Sequence, residues 1–264
     1  MTHAQRLVAL LFATLLAVAA PADLAAQTLS RQAVDTDAAP SASPPAVSLR
    51  EVVEDAVEDF RHIPSWQNVA ILTVGGIGAV AGHAADRDVT QTMSASGGLN
   101  EVLGAGETIG GARTQLAAAL ATYTIGRISR HRTTTAIGAD LIGAQIVTQG
   151  MTAAIKLSVG RTRPDGTQYS FPSGHASVTF ATATVLQRHL GWKVGVPAYG
   201  LATYVAASRI HDQRHFLSDV AFGAALGIVG GRAVTVGAGN ARFAMSPAAM
   251  AGGGGIQFTW LPQP

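Results

Sequence analysis

From Ile63 to Ala85 the chain runs without a lysine, arginine, aspartate or glutamate. The segment Trp66 to Ala85 reads as a helix that is apolar on nearly every side, with Gly78 and Gly82 one turn apart. A helix of this kind either lies inside a bundle or crosses a bilayer, and glycine pairs such as Gly223 and Gly227 permit close helix contact in both settings. Length alone leaves both readings open, since a span needs roughly 20 residues. The other uncharged runs, 176–187 and 220–231, cover only 12 positions each, and Asp140 interrupts the helix containing Ile142. These shorter runs favour a soluble or membrane-associated helical domain over a six-span protein.

The composition fits that reading. Charged residues make up 13% of the 264 positions and hydrophobic residues 48%, with 30 glycines. So lean a chain can bury a large core, and a formal charge of +2 is too small to point to nucleic acid. Cysteine is absent, which excludes disulfides and thiolate metal ligands. Arg6 precedes an uncharged run, Leu7 to Ala22, and small residues then stand near Ala22 and Ala26. This is the layout of a secretory signal peptide, 1–26; an uncleaved anchor is the alternative. Residues 27–47 are rich in Ala, Pro, Ser, Thr and Asp and read as a flexible linker.

The folded domain is expected over 48–237 as an all-α bundle of about six core helices. Ser48 and Glu51 have capping-box spacing ahead of a helix from Leu49 to Ile63. Residues 86–111 are expected to form a long connection containing Gly and Ser, of the kind that often serves as a lid. Helices then follow over Thr114–Ile128, Ala136–Leu157, Ala176–Leu190, Val194–Ser208 and His215–Val234. In the tail, 238–264, Arg242–Met245 and Ile256–Trp260 alternate around a Gly253-rich turn, which predicts a terminal β-hairpin.

Three clusters within residues 156–219 carry the chemistry: Lys156 with Arg163-Pro164, then Pro172-Ser173-Gly174-His175, then Ser208-Arg209 with His215 and Asp219. His215 and Asp219, placed on one helix, would share a face. A carboxylate there can accept the proton of one ring nitrogen and leave the other free to attack phosphorus. The Ser173-Gly174 turn opens a helix, whose unpaired N–H groups and positive dipole end form an anion cradle. Gly174 lets the backbone approach phosphate oxygens, and the Ser173 hydroxyl can add a bond. Lys156, Arg163 and Arg209 would neutralise the equatorial oxygens of a phosphoryl group, whose transfer is catalysed largely by electrostatics. Nothing in the pattern requires a metal.

The three blocks resemble the signature of the superfamily that joins type 2 phosphatidic acid phosphatases, bacterial class A acid phosphatases and vanadium haloperoxidases. Lys156 and Arg163-Pro164 have six residues between them, Pro172 to His175 fits outright, and Ser208-Arg209, His215 and Asp219 keep both internal spacings. The resemblance implies that His215 is the nucleophile, forming a phosphohistidine, that Asp219 orients it, and that His175 is the general acid. Many relatives carry a glycine in the spacer where this chain has His211 and Asp212, which leaves the pocket rim undefined. Phe171 and the His215-Phe216-x-Ser218-Asp219 run look more like the lipid-phosphatase branch. The expected activity is therefore metal-independent removal of a terminal phosphate from a lipid phosphate or isoprenoid pyrophosphate, with vanadate as an inhibitor rather than a cofactor. A broad periplasmic acid phosphatase is the alternative, and a vanadate-dependent haloperoxidase or a non-catalytic envelope scaffold the more distant ones. The expected partners are a phosphorylated lipid and the membrane surface, the expected location the periplasm or cell envelope. Arg161 and Arg214 read as solvated neighbours of the motif, the Arg127–Arg132 cluster as a solvated loop, and His3, His62, His83 and His189 receive no role.

Overall fold

The computed structural model describes residues 48–60 and 63–235 in full and the backbone of 241–250 and 253–262. The expected signal segment and linker, with His3 and His62, lie outside the described residues. Helix α1 is Leu49–Asp59, and its start is the expected capping box: the Ser48 hydroxyl accepts from Glu51 N at 3.2 Å, and the Glu51 carboxylate accepts from Ser48 N at 2.5 Å. Helix α2, Trp66–His83, follows.

The expected long connection is instead built from three short helices, α3 Asp86–Ser94, α4 Leu99–Leu103 and α5 Gly106–Gly110. The glycines that read as loop signals are used for packing. A Cβ at Gly110 would stand 3.2 Å from His175 Cδ2, and one at Gly106 would collide with Ser208. Helix α5 can therefore lie directly against the residues of the motif.

The long helices are α6 Ala112–Ile128, α7 Arg132–Val159, α8 Gly174–Leu190, α9 Trp192–His211 and α10 Leu217–Val234. Helix α7 stops at Gly160, whose φ of 59° is the left-handed conformation of a helix C-cap. Helix α8 holds the centre, with α7, α9 and α10 packed around it. One apolar cluster joins Phe180 on α8, Ala202 and Ile210 on α9 and Val220 and Ile228 on α10. A second joins Tyr123 on α6, Ile137 and Leu141 on α7 and Val185 on α8. Gly223 on α10 lets that helix approach the start of α8, since a Cβ there would lie 2.7 Å from the Ser173 carbonyl. The contact fixes the motif turn against α10.

Helix α2 departs from the buried-helix reading. It meets α10 through Gly75 and Ala79, yet Trp66 is 76% and Val80 78% exposed, with Val69 and Ile77 also open. The nearly all-buried helix is α10, which has the length and composition of a span but keeps 83% of that window inside the bundle. Helices α2 and α3 together pass the same test only as a pair bent by 73°. Beyond the bundle, β1 Ala241–Met250 and β2 Gly253–Pro262 run antiparallel, with Phe243 opposite Trp260.

Candidate active site

Each block of the motif sits where a long helix begins or ends. Lys156 lies in the last turn of α7, and Arg163 in the loop that leaves it. Ser173 is the N-cap of α8, its hydroxyl accepting from Ala176 N at 3.4 Å, and His175 lies in the first turn. Arg209 ends α9, and Asp219 stands in the first turn of α10. The loops are tied together by backbone bonds: Ser173 N donates to Asp219 O at 3.0 Å, Asp165 N to Gln213 O at 3.2 Å and His215 N to Arg209 O at 3.2 Å. Three sequence-distant segments thus converge on one end of the bundle.

His215 does not share a helix with Asp219. It stands in the turn before α10, whose N-cap is Phe216. Asp219 reaches back across that turn, its Oδ2 accepting from Phe216 N at 2.8 Å, as an acidic residue in a first helical turn commonly does. His215 Nδ1 lies 3.7 Å from the same Oδ2, an ion-pair distance longer than a hydrogen bond, and is buried without a hydrogen-bond partner among the described residues. The four-residue spacing brings the pair together through a cap rather than a helical face.

Asp219 is fully buried and densely held. Its Oδ2 also accepts from the Ser170 hydroxyl, and its Oδ1 accepts from Arg161 Nη1 at 2.7 Å. Burial pushes its carboxyl upward, but the contacts from His215, Ser170 and Phe216 and the Arg161 charge outweigh this and hold it below the usual carboxylate range. His215 moves downward, chiefly because it is buried and also because Lys156 and Arg163 face it, against the pull of Asp219. Both groups therefore favour a neutral imidazole beside an ionised carboxylate.

The cations surround this pair. Lys156 Nζ donates to the Tyr169 carbonyl at 2.6 Å, and its Cε passes about 4.0 Å from where a Cβ on Gly174 would stand. Burial, then the nearby Arg163, draws its ammonium down to about 8. Arg163 keeps a buried Nε with no partner among the described residues. Arg209 is 1% exposed; Asp212 holds its Nη2, and Glu107 on α5 approaches its Nη1 to 3.8 Å. His175 falls to about 4 through burial and the neighbouring Arg209 and His215, with Glu107 pulling the other way. An anion bound here would act against that shift, because its negative charge favours the imidazolium.

Several residues of the site are not legible in the motif. Ser170, Glu107 and Asp212 each touch a motif residue, only Asp212 lying inside a signature block, and Asp86 reaches the site through Ser218 and Arg161. Arg161 is not solvated: its side chain is 20% exposed and bonded to Asp219, Ser218 and Asp86. Arg214 is more open and pairs with Asp165 at 2.7 Å. Of the histidines given no role, His83 lies 3.0 Å from Asp86, and His189 lies 2.7 Å from Asp140 at the far end of α8. Arg130 and Arg132 are exposed as expected, while His131 caps α7.

A buried and a half-buried histidine, a clamped carboxylate, three cations and a helix N-terminus gather at one end of the α-bundle, a set suited to a tetrahedral oxyanion. The PAP2 superfamily family model matches residues 133–242, a stretch that takes in all three blocks. Among curated proteins it is 43% identical over 100 residues to a lipid A 1-phosphatase of Porphyromonas gingivalis, covering 36% of this chain and 21% of that one. It is 38% identical over 107 residues to a decaprenylphosphoryl-5-phosphoribose phosphatase of Mycobacterium tuberculosis, covering 36% and 59%. The matches thus span about a fifth and about three fifths of these relatives. Among solved structures, Aquifex aeolicus LpxE aligns with a TM-score of 0.49 at 19% identity, over 57% of this chain and 94% of that one. A transmembrane PAP2-type phosphatidylglycerolphosphate phosphatase of Bacillus subtilis aligns with a TM-score of 0.49 at 22% identity, over 70% and 93%.

Proposed function

We propose that this chain is a metal-independent phosphohydrolase that removes a terminal phosphate from a lipid phosphate or isoprenoid pyrophosphate through a phosphohistidine. The observation that carries the reading is the convergence of Lys156, Arg163, Arg209 and the α8 N-terminus around His215 and His175. In the first half-reaction the free Nε2 lone pair of His215 attacks phosphorus and the bond to the leaving oxygen breaks. His175, protonated once the anion is bound, gives its proton to that oxygen. Asp219 stabilises the positive charge developing on the His215 ring. In the second half-reaction water attacks phosphorus, the P–N bond breaks, and His175 takes up the water proton. Lys156, Arg163, Arg209 and the amides beyond Ser173 and Gly174 hold the oxygens throughout.

Lipid rather than soluble substrates are favoured by three observations. The curated relatives are phosphatases named for lipid A and for a decaprenyl-linked phosphate. The open face of α2 presents Trp66, Val69, Ile77 and Val80. An apolar groove of about 370 Å³, bounded by Gly76, Val80, Phe171 and Phe222, lies beside Arg161. A panel of lipid phosphates, isoprenoid pyrophosphates and soluble monoesters, assayed with EDTA and then with vanadate, tests the proposal. Turnover is expected on the lipid-linked substrates, undiminished by EDTA and inhibited by vanadate. Preference for soluble monoesters would assign an acid phosphatase, and halide oxidation activated by vanadate a haloperoxidase. A requirement for a divalent ion would overturn the metal-free mechanism.

The same reading places the site outside the cytoplasm, with 1–26 as a cleaved signal segment, 27–47 as linker, 48–237 as the phosphatase domain and 238–264 as a tail with the terminal hairpin. The mature chain is expected to begin between Asp23 and Thr28 and to partition into the envelope, soluble or loosely bound to membrane. Fractionation with N-terminal sequencing reads this directly. An intact Met1 in material released only by detergent would replace it with an anchored protein.

A further inference from the structure

We propose that Asp86 and Arg161, neither of them part of the three-block signature, form a bridge that positions and charges the Asp219–His215 pair. The inference rests on the proposed role of that pair. Asp86 is the first residue of α3 and is 2% exposed. Its Oδ1 accepts from Ser218 N at 2.9 Å, and its Oδ2 accepts from the Ser218 hydroxyl and from Arg161 Nη2, both at 2.7 Å. The other end of the same guanidinium donates through Nη1 to Ser218 Oγ and to Asp219 Oδ1, both at 2.7 Å. Its plane also lies over the Phe216 ring, 4.4 Å from the centroid. One planar fork thus spans two buried carboxylates and stacks on the residue between His215 and the α10 start, a geometry an ammonium cannot reproduce.

The placement gives the bridge two consequences. Asp86 and Arg161 hold the first turn of α10 from the α3 side, so the direction of the Asp219 carboxylate toward His215 depends on a helix from a different part of the chain. Arg161 also brings a positive charge against a carboxylate that must stay ionised, while Asp86 neutralises the excess so that the charge on the pair is only partly offset. The other charged or titratable groups facing His215 and Asp219 are Lys156 from the end of α7, Arg163 from the loop after it and His175 from α8, which Arg209 of α9 faces in turn, with His83 of α2 on the outer side of Asp86 and Arg161. All of them except His83, which one variant replaces, are common to the parent and to the variants below.

The test compares Arg161→Gln, Arg161→Lys, Asp86→Asn and, as an outer control, His83→Gln. For Arg161→Gln, kcat is expected to fall about 10- to 100-fold, the size of losing one charge-assisted contact to a catalytic pair, with KM and vanadate inhibition within about threefold. Loss of the positive charge favours the protonated pair, so the acid limb of kcat/KM is expected to move to higher pH. Asp86→Asn removes a negative charge instead and should move that limb down or leave it in place, with a smaller fall in kcat. Arg161→Lys should restore the limb but only part of kcat, and His83→Gln should match the parent. Titration of the His215 imidazole by NMR, which needs no turnover, should show the same order of pKa values. Parent-like kinetics in Arg161→Gln, or loss of vanadate binding and melting temperature in step with kcat and no shift of the limb or of the His215 titration, would overturn the bridge. Should the parent hydrolyse no phosphate ester, the functional reading fails by itself, because the NMR titration still decides whether Arg161 acts on His215.

Discussion

His215→Ala should eliminate turnover, lowering kcat by at least about 10³-fold, because the proposed mechanism takes its attacking nitrogen from this imidazole. The fold should survive. His215 sits in a turn held by backbone bonds, its own N–H donating to the Arg209 carbonyl, and those bonds do not involve the imidazole. Circular dichroism and thermal melting are expected to stay close to the parent, which separates loss of chemistry from loss of structure. Rapid quenching of the parent with labelled substrate should trap an acid-labile, alkali-stable phosphoprotein that His215→Ala does not form. Retained turnover in the variant would eliminate the phosphohistidine mechanism.

Asp219→Asn is expected to cost about 10²- to 10⁴-fold in kcat, the range seen when the carboxylate partner of a catalytic histidine is made neutral. The surroundings make the amide a poor replacement. Placed toward Oδ2, the new NH₂ meets the Phe216 N–H, and placed toward Oδ1, it meets Arg161 Nη1, so either orientation sets donor against donor. Stability should fall as well, by about 1–3 kcal/mol for the disturbed buried hydrogen bonds. Steady-state kinetics beside thermal melting check both parts. A fall in melting temperature with unchanged kcat would mean that Asp219 caps α10 and does nothing for His215.

The sequence alone was enough for the helical class and for which residues meet at one end of the bundle, for a physical reason. The core helices carry uncharged, small-residue runs with charges at their ends, and a site built from helix ends puts its reactive residues where those runs stop. Lys156, Ser173, Arg209 and Asp219 are all of this type. Spacing within a turn is local information, so the approach of His215 and Asp219 was legible even though a cap, and not a helical face, brings them together.

What only the tertiary structure decided is everything that depends on contacts between distant segments. Arg161 looked solvated because the partners it uses are not local: Asp86 and Asp219 lie 75 and 58 positions away. The connection 86–111 read as loop because its glycines suit flexible turns, whereas Gly106 and Gly110 serve to lay α5 against Ser208 and His175. The exchange of roles between α2 and α10 has the same origin. Hydropathy measures what a helix can bury, but only the packing of its neighbours decides which apolar helix is enclosed and which keeps Trp66 and Val80 open.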